Sequence, residues 1–292
     1  MITIINSLSD ISARYDVLYC DLWGCLHNGQ APFPEAVAAL QAFRGKGGTV
    51  ILVTNSPRPR GSVEAQLDGM GVPRDCYDDI ASSGDAAQNA MATGRYGRKV
   101  YHIGPARDLP FFTDENGQPY DVERVPLEDA EGIVCTGLFD DRTETPDDYR
   151  LTILTGVNRG LKMLCANPDV IVDVGETRIY CAGAIAEAYI AAGGTAEYFG
   201  KPHVPIYQMA RQRAEALRGE VLSDDVILCI GDGINTDIRG AIGERLDCLF
   251  ITGGLAADET GTPPNGQPDP QKLEAFSEAA KLTPTTAIGF LR

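Results

Sequence analysis

Four short apolar runs stop abruptly at small or polar residues, and this pattern constrains the fold more than any other feature. Each run has the length of a strand, and buried parallel strands end in this way at their carboxyl ends. Helical patterns such as Pro34–Phe43 separate the runs, so the sequence predicts an α/β fold with a Rossmann-like parallel sheet. The runs are Val17–Cys20 before Asp21, Val50–Val53 before Thr54 and Asn55, Val226–Ile230 before Gly231 and Asp232, and Cys248–Ile251 before Thr252.

The spacing of these runs predicts an inserted domain. Asp232 lies 178 residues after Thr54 (232 minus 54), and a chain of 292 residues is long enough for two cores. We expect a discontinuous core at 1–84 and 196–292, with an inserted α/β cap domain at 85–195. The insertion has strand patterns at Lys99–Ile103, Gly132–Thr136 and Leu161–Cys165, and helical patterns at Asp148–Gly156 and Ala184–Ala191. Glycine and proline density predicts a surface loop at Asp258–Pro270.

Charge and cysteine content restrict the partners and the compartment. The formal net charge is -16, without a basic tract, so the surface should repel nucleic acids and anionic membranes. A small molecule is therefore the expected partner, while the oligomeric state stays open. The eight cysteines contain no C-x-x-C pair, and we expect buried free thiols in a reducing cytoplasm. The amino terminus has no signal-peptide pattern, and no apolar window is long enough to span a membrane.

The polar strand ends and two further motifs match a known family. The segment Asp21-Leu22-Trp23-Gly24-Cys25-Leu26 resembles the first motif of the haloacid dehalogenase superfamily, whose phosphatases usually read D-x-D-G-T-L. The later motifs follow in the same order: Thr54-Asn55, Gly200-Lys201-Pro202, and Gly231-Asp232 with Asn235-Thr236-Asp237. The position of the insertion, together with Asn167-Pro168-Asp169, is similar to the class IIA cap subfamily. That subfamily contains sugar-phosphate, phosphoglycolate and nitrophenyl-phosphate phosphatases, and the resemblance covers nearly the whole chain.

Each motif also suits phosphoryl transfer, which needs a nucleophile, charge neutralisation and alignment. The carboxylate of Asp21 can attack phosphorus and form an aspartyl-phosphate. Asp21 and Asp232 should meet at one edge of the sheet, where they would repel each other unless a cation such as Mg²⁺ lay between them. Lys201 can neutralise the phosphate, while Thr54 and the backbone N–H of Asn55 can donate hydrogen bonds to its oxygens.

Further site residues follow from position or from the resemblance. The resemblance implies that the backbone carbonyl of Trp23 is a third magnesium ligand. Asp237 is expected behind the metal ligands or at a helix amino terminus, and Asn235 beside it. Asn167 and Asp169 have two open interpretations: they face the substrate from the cap, or they end a strand.

Trp23 departs from the family pattern, because a second aspartate there normally protonates the leaving oxygen and then activates water. An indole N–H donates a hydrogen bond but neither releases nor accepts a proton near neutral pH. General acid–base catalysis typically contributes about 100- to 10,000-fold, so another group must substitute or turnover is slow. Candidate substitutes are Asp140, Asp141 and His27, although a solvated loop position is the default expectation for His27. The three histidines are too scattered to suggest a zinc site.

Three functions remain open at this point. The first is a magnesium-dependent phosphatase of small phosphorylated metabolites such as sugar phosphates. The second is a related hydrolase whose substrate has a good leaving group, such as an acyl phosphate, a halide or a phosphonate. The third is a protein with weakened catalysis that binds a phosphorylated metabolite.

Overall fold

The computed structural model describes residues 2–174 and 177–292. Its strands, in chain order, are β1 (Thr3–Ile4), β2 (Val17–Cys20), β3 (Thr49–Thr54), β4 (Asp79–Ser82), β5 (Lys99–Ile103), β6 (Glu123–Arg124), β7 (Gly132–Cys135), β8 (Lys162–Cys165), β9 (Ile171–Val174), β10 (Thr177–Tyr180), β11 (Thr195–Tyr198), β12 (Ile227–Gly231), β13 (Asp247–Ile251) and β14 (Thr286–Ile288). The α-helices are α1 (Pro34–Arg44), α2 (Arg60–Gly69), α3 (Ser83–Ala92), α4 (Arg150–Asn158), α5 (Ala182–Ala191), α6 (Val204–Arg218), α7 (Arg239–Gly243), α8 (Ala257–Thr260) and α9 (Pro270–Ala280).

The chain divides into two compact units. Unit 1 comprises Met1–Thr54, Gln66–Ala81 and Tyr207–Arg292, and unit 2 comprises Asn55–Ala65 and Ser82–Ile206. The longer segment of unit 2 therefore runs from Ser82 to Ile206. A second, shorter segment of the same unit, Asn55–Ala65, follows β3. The cap-domain boundaries expected at 85 and 195 stay a prediction.

Unit 1 is built on a seven-stranded sheet with the order β1-β14-β13-β12-β2-β3-β4, in which the neighbouring pairs from β1 to β3 are parallel. Its central strands β2, β3 and β12 are buried at every position, as expected for a sheet covered on both faces. The strand β2 pairs in parallel with β12 on one side and with β3 on the other. This order places the residues that follow β2 and β12, and the last residue of β3, at one edge of the sheet.

The sheet of unit 2 has the order β11-β8-β7-β5-β6, and its pairs are parallel. A separate antiparallel pair consists of β9 and β10. The core of this unit lies between the sheet and the helices α4 and α5, where Ile133, Met163, Ile185 and Tyr189 are fully buried. Both units thus have α/β architecture, which confirms the predicted fold class.

The predicted elements are present, with differences at their ends. The strands Val17–Cys20 and Lys99–Ile103 were predicted with the observed bounds. Val226 instead ends a 3-10 turn (Asp224–Val226) before β12, and Thr136 and Leu161 lie just outside β7 and β8. Such shifts of one residue are usual where a strand begins or ends. The loop predicted at Asp258–Pro270 was wrong at both ends, because α8 covers Ala257–Thr260 and α9 starts at Pro270.

Two further observations concern the cysteines and the helices. All eight cysteines are buried free thiols, as predicted. Of the helices within 2–174 and 177–292, none combines the length and the apolar composition needed to span a membrane.

Candidate active site

Three polar side chains of unit 1 lie at the carboxyl ends of neighbouring strands. Asp21 follows β2, Thr54 is the last residue of β3, and Asp232 follows β12. The backbone N–H of Asp21 donates to the carbonyl of Ile230, 2.8 Å away, and so continues the pairing of β2 with β12. All three side chains are buried. The predicted convergence of Asp21, Thr54 and Asp232 at one sheet edge therefore has a direct cause in the strand order.

Asp21, Cys25 and Asp232 form a compact group of possible metal ligands. One carboxylate oxygen of each aspartate and the sulfur of Cys25 lie within 4.8 Å of one another. Two oxygen ligands of one Mg²⁺ lie at most about 4.2 Å apart, twice the metal–oxygen bond length. The 4.8 Å limit is close to this span, so both carboxylates can reach one ion with at most small side-chain shifts. Two anionic oxygen ligands at this separation fit Mg²⁺, which prefers oxygen.

Cys25 adds no charge to this group. Burial raises the pKa of its thiol well above the ordinary value, and the charges of Asp232 and Asp21 raise it further. The thiol is therefore neutral at neutral pH. The negative charge that a cation would meet comes from the two carboxylates.

The carboxylate of Asp232 lies in a narrow slot between two glycines. A Cβ atom at Gly24 would lie 2.1 Å from Oδ2 of Asp232, and one at Gly254 would lie 2.0 Å from the same oxygen. The backbone N–H of Leu255 donates to this oxygen, 3.1 Å away. The loop after β13 thus fixes the orientation of the Asp232 carboxylate. Sequence analysis missed Gly254 and Leu255, although the Gly253-Gly254 pair after a predicted strand was a signal for a tight turn.

Asp237 supports the loop that carries Asp232. Its Oδ2 atom accepts hydrogen bonds from the N–H of Gly233 at 3.1 Å and from the hydroxyl of Thr236 at 3.2 Å. Asp237 is buried in a π-helical turn, Ile234–Ile238, and such turns are frequent at functional sites. Asn235 is exposed, and its Oδ1 accepts a hydrogen bond from Arg239 at 2.8 Å.

The chain after Asp21 folds back on itself and buries His27. Isolated bridges link Trp23 to His27 and His27 to Pro32, and the side chain of His27 is 1% exposed. The prediction of a solvated loop histidine was therefore wrong. The ring of Trp23 lies edge-on to that of His27, with 5.4 Å between centroids. It also packs against Gly29, where φ is +83° and a Cβ atom would lie 2.2 Å from the indole.

His27 is poorly suited to replace the missing acid. Burial lowers its pKa to about 4, so only about one molecule in a thousand carries the imidazolium at pH 7. Its Nδ1 accepts a hydrogen bond from the N–H of Gly29 at 3.0 Å, which places the proton of the neutral ring on Nε2. The structure assigns His27 a role in holding the turn that contains Trp23.

The two acidic candidates of unit 2 are also engaged. Asp140 is exposed, and hydrogen bonds from the N–H of Arg142 and the hydroxyl of Thr143 lower the pKa of its carboxyl group. Asp141 forms an ion pair with Arg107. Asp140 is therefore a carboxylate at neutral pH, whereas a general acid must be protonated. The negative charge of Asp141 is balanced by the positive charge of Arg107.

Unit 2 brings together Asn55, Lys201 and Asp169. Oδ1 of Asn55 accepts a hydrogen bond from the N–H of Lys201 at 2.6 Å. Nδ2 of Asn55 donates to Oδ1 of Asp169 at 2.8 Å and to the carbonyl of Lys201 at 3.1 Å. Oδ1 of Asn167 accepts a hydrogen bond from the N–H of Asp169 at 3.0 Å. The side chains of Asn55 and Lys201 are buried. The contact of Asn55 with both later motifs was not foreseen, because the sequence suggested a role only for its backbone N–H.

Family models match both ends of the chain. The model described as haloacid dehalogenase-like hydrolase matches residues 18–116, and a second model of the haloacid dehalogenase-like type matches residues 198–279. The chain is 42% identical to a hydrolase of the haloacid dehalogenase-like family from Brucella suis 1330. That alignment covers 99% of this chain and 100% of the other, with a TM-score of 0.85. A search of curated proteins gives no match.

More distant structures share the fold. A possible sugar phosphatase from Cytophaga hutchinsonii is 18% identical, with a TM-score of 0.76, over 98% of this chain and 97% of the other. A glycerol phosphate phosphatase from Mycobacterium tuberculosis, in complex with magnesium, is 23% identical. It has a TM-score of 0.63 over 92% of this chain and 76% of the other.

The slot around Asp232 leads to a first expected outcome. Gly254→Ala should weaken Mg²⁺ binding by about 10- to 100-fold, the usual effect of disturbing groups behind a metal ligand, because the new methyl group displaces the Asp232 carboxylate. Isothermal titration calorimetry measures the affinity. Gly243→Ala is the matched control, since a Cβ atom there meets nothing within 4 Å. Equal affinities in the two variants would show that the slot does not orient Asp232.

The buried imidazole leads to a second. Because the pKa of His27 is about 4 in the folded protein and 6.5 when exposed, the unfolded chain binds more protons between these pH values. The buried His27 therefore lowers the free energy of unfolding as the pH falls from about 6.5 to 4. His27→Gln should reduce the fall in unfolding free energy between pH 7.5 and 4.5 by about 2 kcal/mol. Urea denaturation at both pH values measures this, and an unchanged pH dependence would contradict the burial of a neutral ring.

Proposed function

Because the chain belongs to the haloacid dehalogenase-like hydrolase family, we propose that it is a magnesium-dependent phosphatase of small phosphorylated metabolites such as sugar phosphates. The observation that carries this proposal is the pair of carboxylates, Asp21 and Asp232, at the ends of neighbouring strands within 4.8 Å of each other and of Cys25. The fold shared with a possible sugar phosphatase and a glycerol phosphate phosphatase supports it. The net charge of -16, which disfavours polyanionic partners, supports it as well. The buried free thiols support a cytoplasmic location.

We propose that Asp21 is the nucleophile. An oxygen of its carboxylate attacks phosphorus, a new O–P bond forms, and the bond to the leaving oxygen breaks. Water then attacks phosphorus and breaks the bond to Asp21, which releases inorganic phosphate and restores the carboxylate. Mg²⁺, held by Asp21, Asp232 and the backbone carbonyl of Trp23, would neutralise the charge of the phosphoryl group. Thr54, the N–H of Asn55 and Lys201 would supply hydrogen bonds and positive charge to its oxygens.

The proton for the leaving oxygen is the point at which this protein differs from the family pattern. Trp23 cannot supply it, His27 is a neutral ring whose pKa is about 4, and Asp140 is ionised at neutral pH. We therefore propose that the proton comes from water or from the substrate itself. Substrates with good leaving groups should then be turned over fastest, which favours acyl phosphates as the second candidate class.

A substrate panel tests the proposal. Purified protein is assayed with Mg²⁺, phosphate monoesters of graded leaving-group pKa, and an acyl phosphate, and release of inorganic phosphate is measured. We expect turnover that requires Mg²⁺, increases as the leaving-group pKa falls, and disappears in Asp21→Asn, which keeps the size of the side chain but removes the nucleophile. Unchanged turnover in Asp21→Asn would refute the mechanism. Metabolite binding without turnover of any substrate would refute the enzymatic function.

Restoring the family aspartate tests whether the lack of an acid at position 23 limits turnover. Trp23→Asp should increase hydrolysis of monoesters with poor leaving groups by about 100-fold or more, because a carboxyl group can then protonate the leaving oxygen. Trp23→Asn is the control, since it removes the indole to the same extent without providing an acid. Circular dichroism confirms folding of both variants. Equal rates in the folded variants would show that the missing carboxyl group does not limit turnover.

A further inference from the structure

The amide of Asn55 holds the backbone of Lys201 at two points. It accepts from the N–H of Lys201 at 2.6 Å and donates to its carbonyl at 3.1 Å. One side-chain amide thus replaces both partners that a neighbouring strand would offer this residue. Because both backbone groups of Lys201 are fixed, the rotation of the peptide units on either side of its Cα atom is restricted.

The orientation of the Asn55 amide is set by its partners. With oxygen and nitrogen exchanged, two donors would face each other at the N–H of Lys201, and two acceptors at the carboxylate of Asp169. A carboxylate accepts hydrogen bonds only, so Asp169 requires the NH₂ group of Asn55 on its side. The oxygen of Asn55 is thereby directed to Lys201.

Asp169 itself is held rigidly. Its N–H donates to Oδ1 of Asn167 at 3.0 Å, and its carbonyl accepts from the N–H of Gly183 at 3.1 Å, at the start of α5. A Cβ atom at Gly183 would lie 2.3 Å from the carbonyl oxygen of Pro168, so the glycine permits this close approach. The two hydrogen bonds therefore hold the turn at Asn167 and Asp169 in one conformation.

Gly200 makes the contact between Asn55 and Lys201 possible. A Cβ atom at Gly200 would lie 2.3 Å from Oδ1 of Asn55 and 2.7 Å from Cδ of Pro168. Any side chain there would separate the two segments. The turn Gly200-Lys201-Pro202 and the turn Asn167-Pro168-Asp169 are thus connected through one buried amide, Asn55.

We propose that Asp169 is a positioning residue that acts through Asn55 on Lys201, and does not serve as a substrate ligand. Asp169 orients the Asn55 amide, and the amide fixes the backbone from which the Lys201 side chain extends. The proposal rests on the proposed function only in that Lys201 is taken to bind the phosphoryl group. The connection among the three residues exists whatever the reaction is.

The first test compares two replacements of Asp169. Asp169→Ala removes the acceptor and should lower kcat/KM for the best substrate by about 10-fold or more, since a hydrogen bond to a charged group contributes about that much. Asp169→Asn can still present an oxygen to Asn55 and should retain activity within about 3-fold, as expected for a retained neutral hydrogen bond. Equal losses in both variants would identify the charge of Asp169 as a substrate ligand and overturn the proposal. Asp147→Ala is the control, because Asp147 is an exposed aspartate of the same unit.

A double-mutant cycle with Lys201→Met separates positioning from general destabilisation. Without the ammonium group there is nothing left to position, so Asp169→Ala should cause no further loss of kcat/KM in this background. An undiminished loss would show that Asp169 acts independently of Lys201 and would overturn the proposal.

Hydrogen exchange provides a readout that does not need activity. In the unliganded protein, the N–H of Lys201 should exchange about 10-fold faster in Asp169→Ala than in the wild type, and at nearly the wild-type rate in Asp169→Asn. Mass spectrometry of the peptide around residues 198–206 measures this. Unchanged exchange in Asp169→Ala would refute the connection. If exchange changes as expected while the wild type hydrolyses no phosphate, only the proposed function fails.

Discussion

The proximity of two buried carboxylates, Asp21 and Asp232, is the interaction on which the rest of the structure depends. Two full charges no more than 4.8 Å apart would repel by at least about 3 kcal/mol at an effective dielectric constant near 20. The fold sustains this repulsion because both residues continue from central strands whose pairing leaves their backbones little freedom. Leu255 orients the carboxylate of Asp232, and the neutral thiol of Cys25 adds no further negative charge. Two carboxylates this close to each other attract a cation.

Much of this arrangement could be predicted from the sequence. The runs before Asp21, Thr54 and Asp232 are apolar throughout, so their strands could be located to within a residue, and parallel strands bring their carboxyl ends to one edge. The order of the motifs then identified the family. The strand patterns thus predict where the backbones of Asp21, Thr54 and Asp232 lie, because the ends and the direction of a strand follow from the local sequence.

The remaining features depend on contacts between distant segments and could not be predicted. Gly254 acquires its importance only because β13 lies beside β12, which brings its following loop to Asp232. His27 is buried because the chain folds back to Pro32, a contact that no periodic pattern encodes. The side chain of Asn55 contacts segments more than 100 residues away in the sequence, as its separations of 114 and 146 residues from Asp169 and Lys201 show. Single-sequence patterns carry no signal for such pairs.

The packing of Trp23 against Gly29 restricts which substitutions are possible at these two positions. The indole occupies the space that any side chain at 29 would need, so Gly29 is required for as long as tryptophan is present. A variant with a small acidic residue at position 23 would lose this requirement, and asparagine, which tolerates a positive φ, would become acceptable at position 29. The reverse change, from acid to tryptophan, would succeed only after glycine had been established at 29. Tryptophan at position 23 and glycine at position 29 are thus coupled, because the indole fills the space beside the glycine.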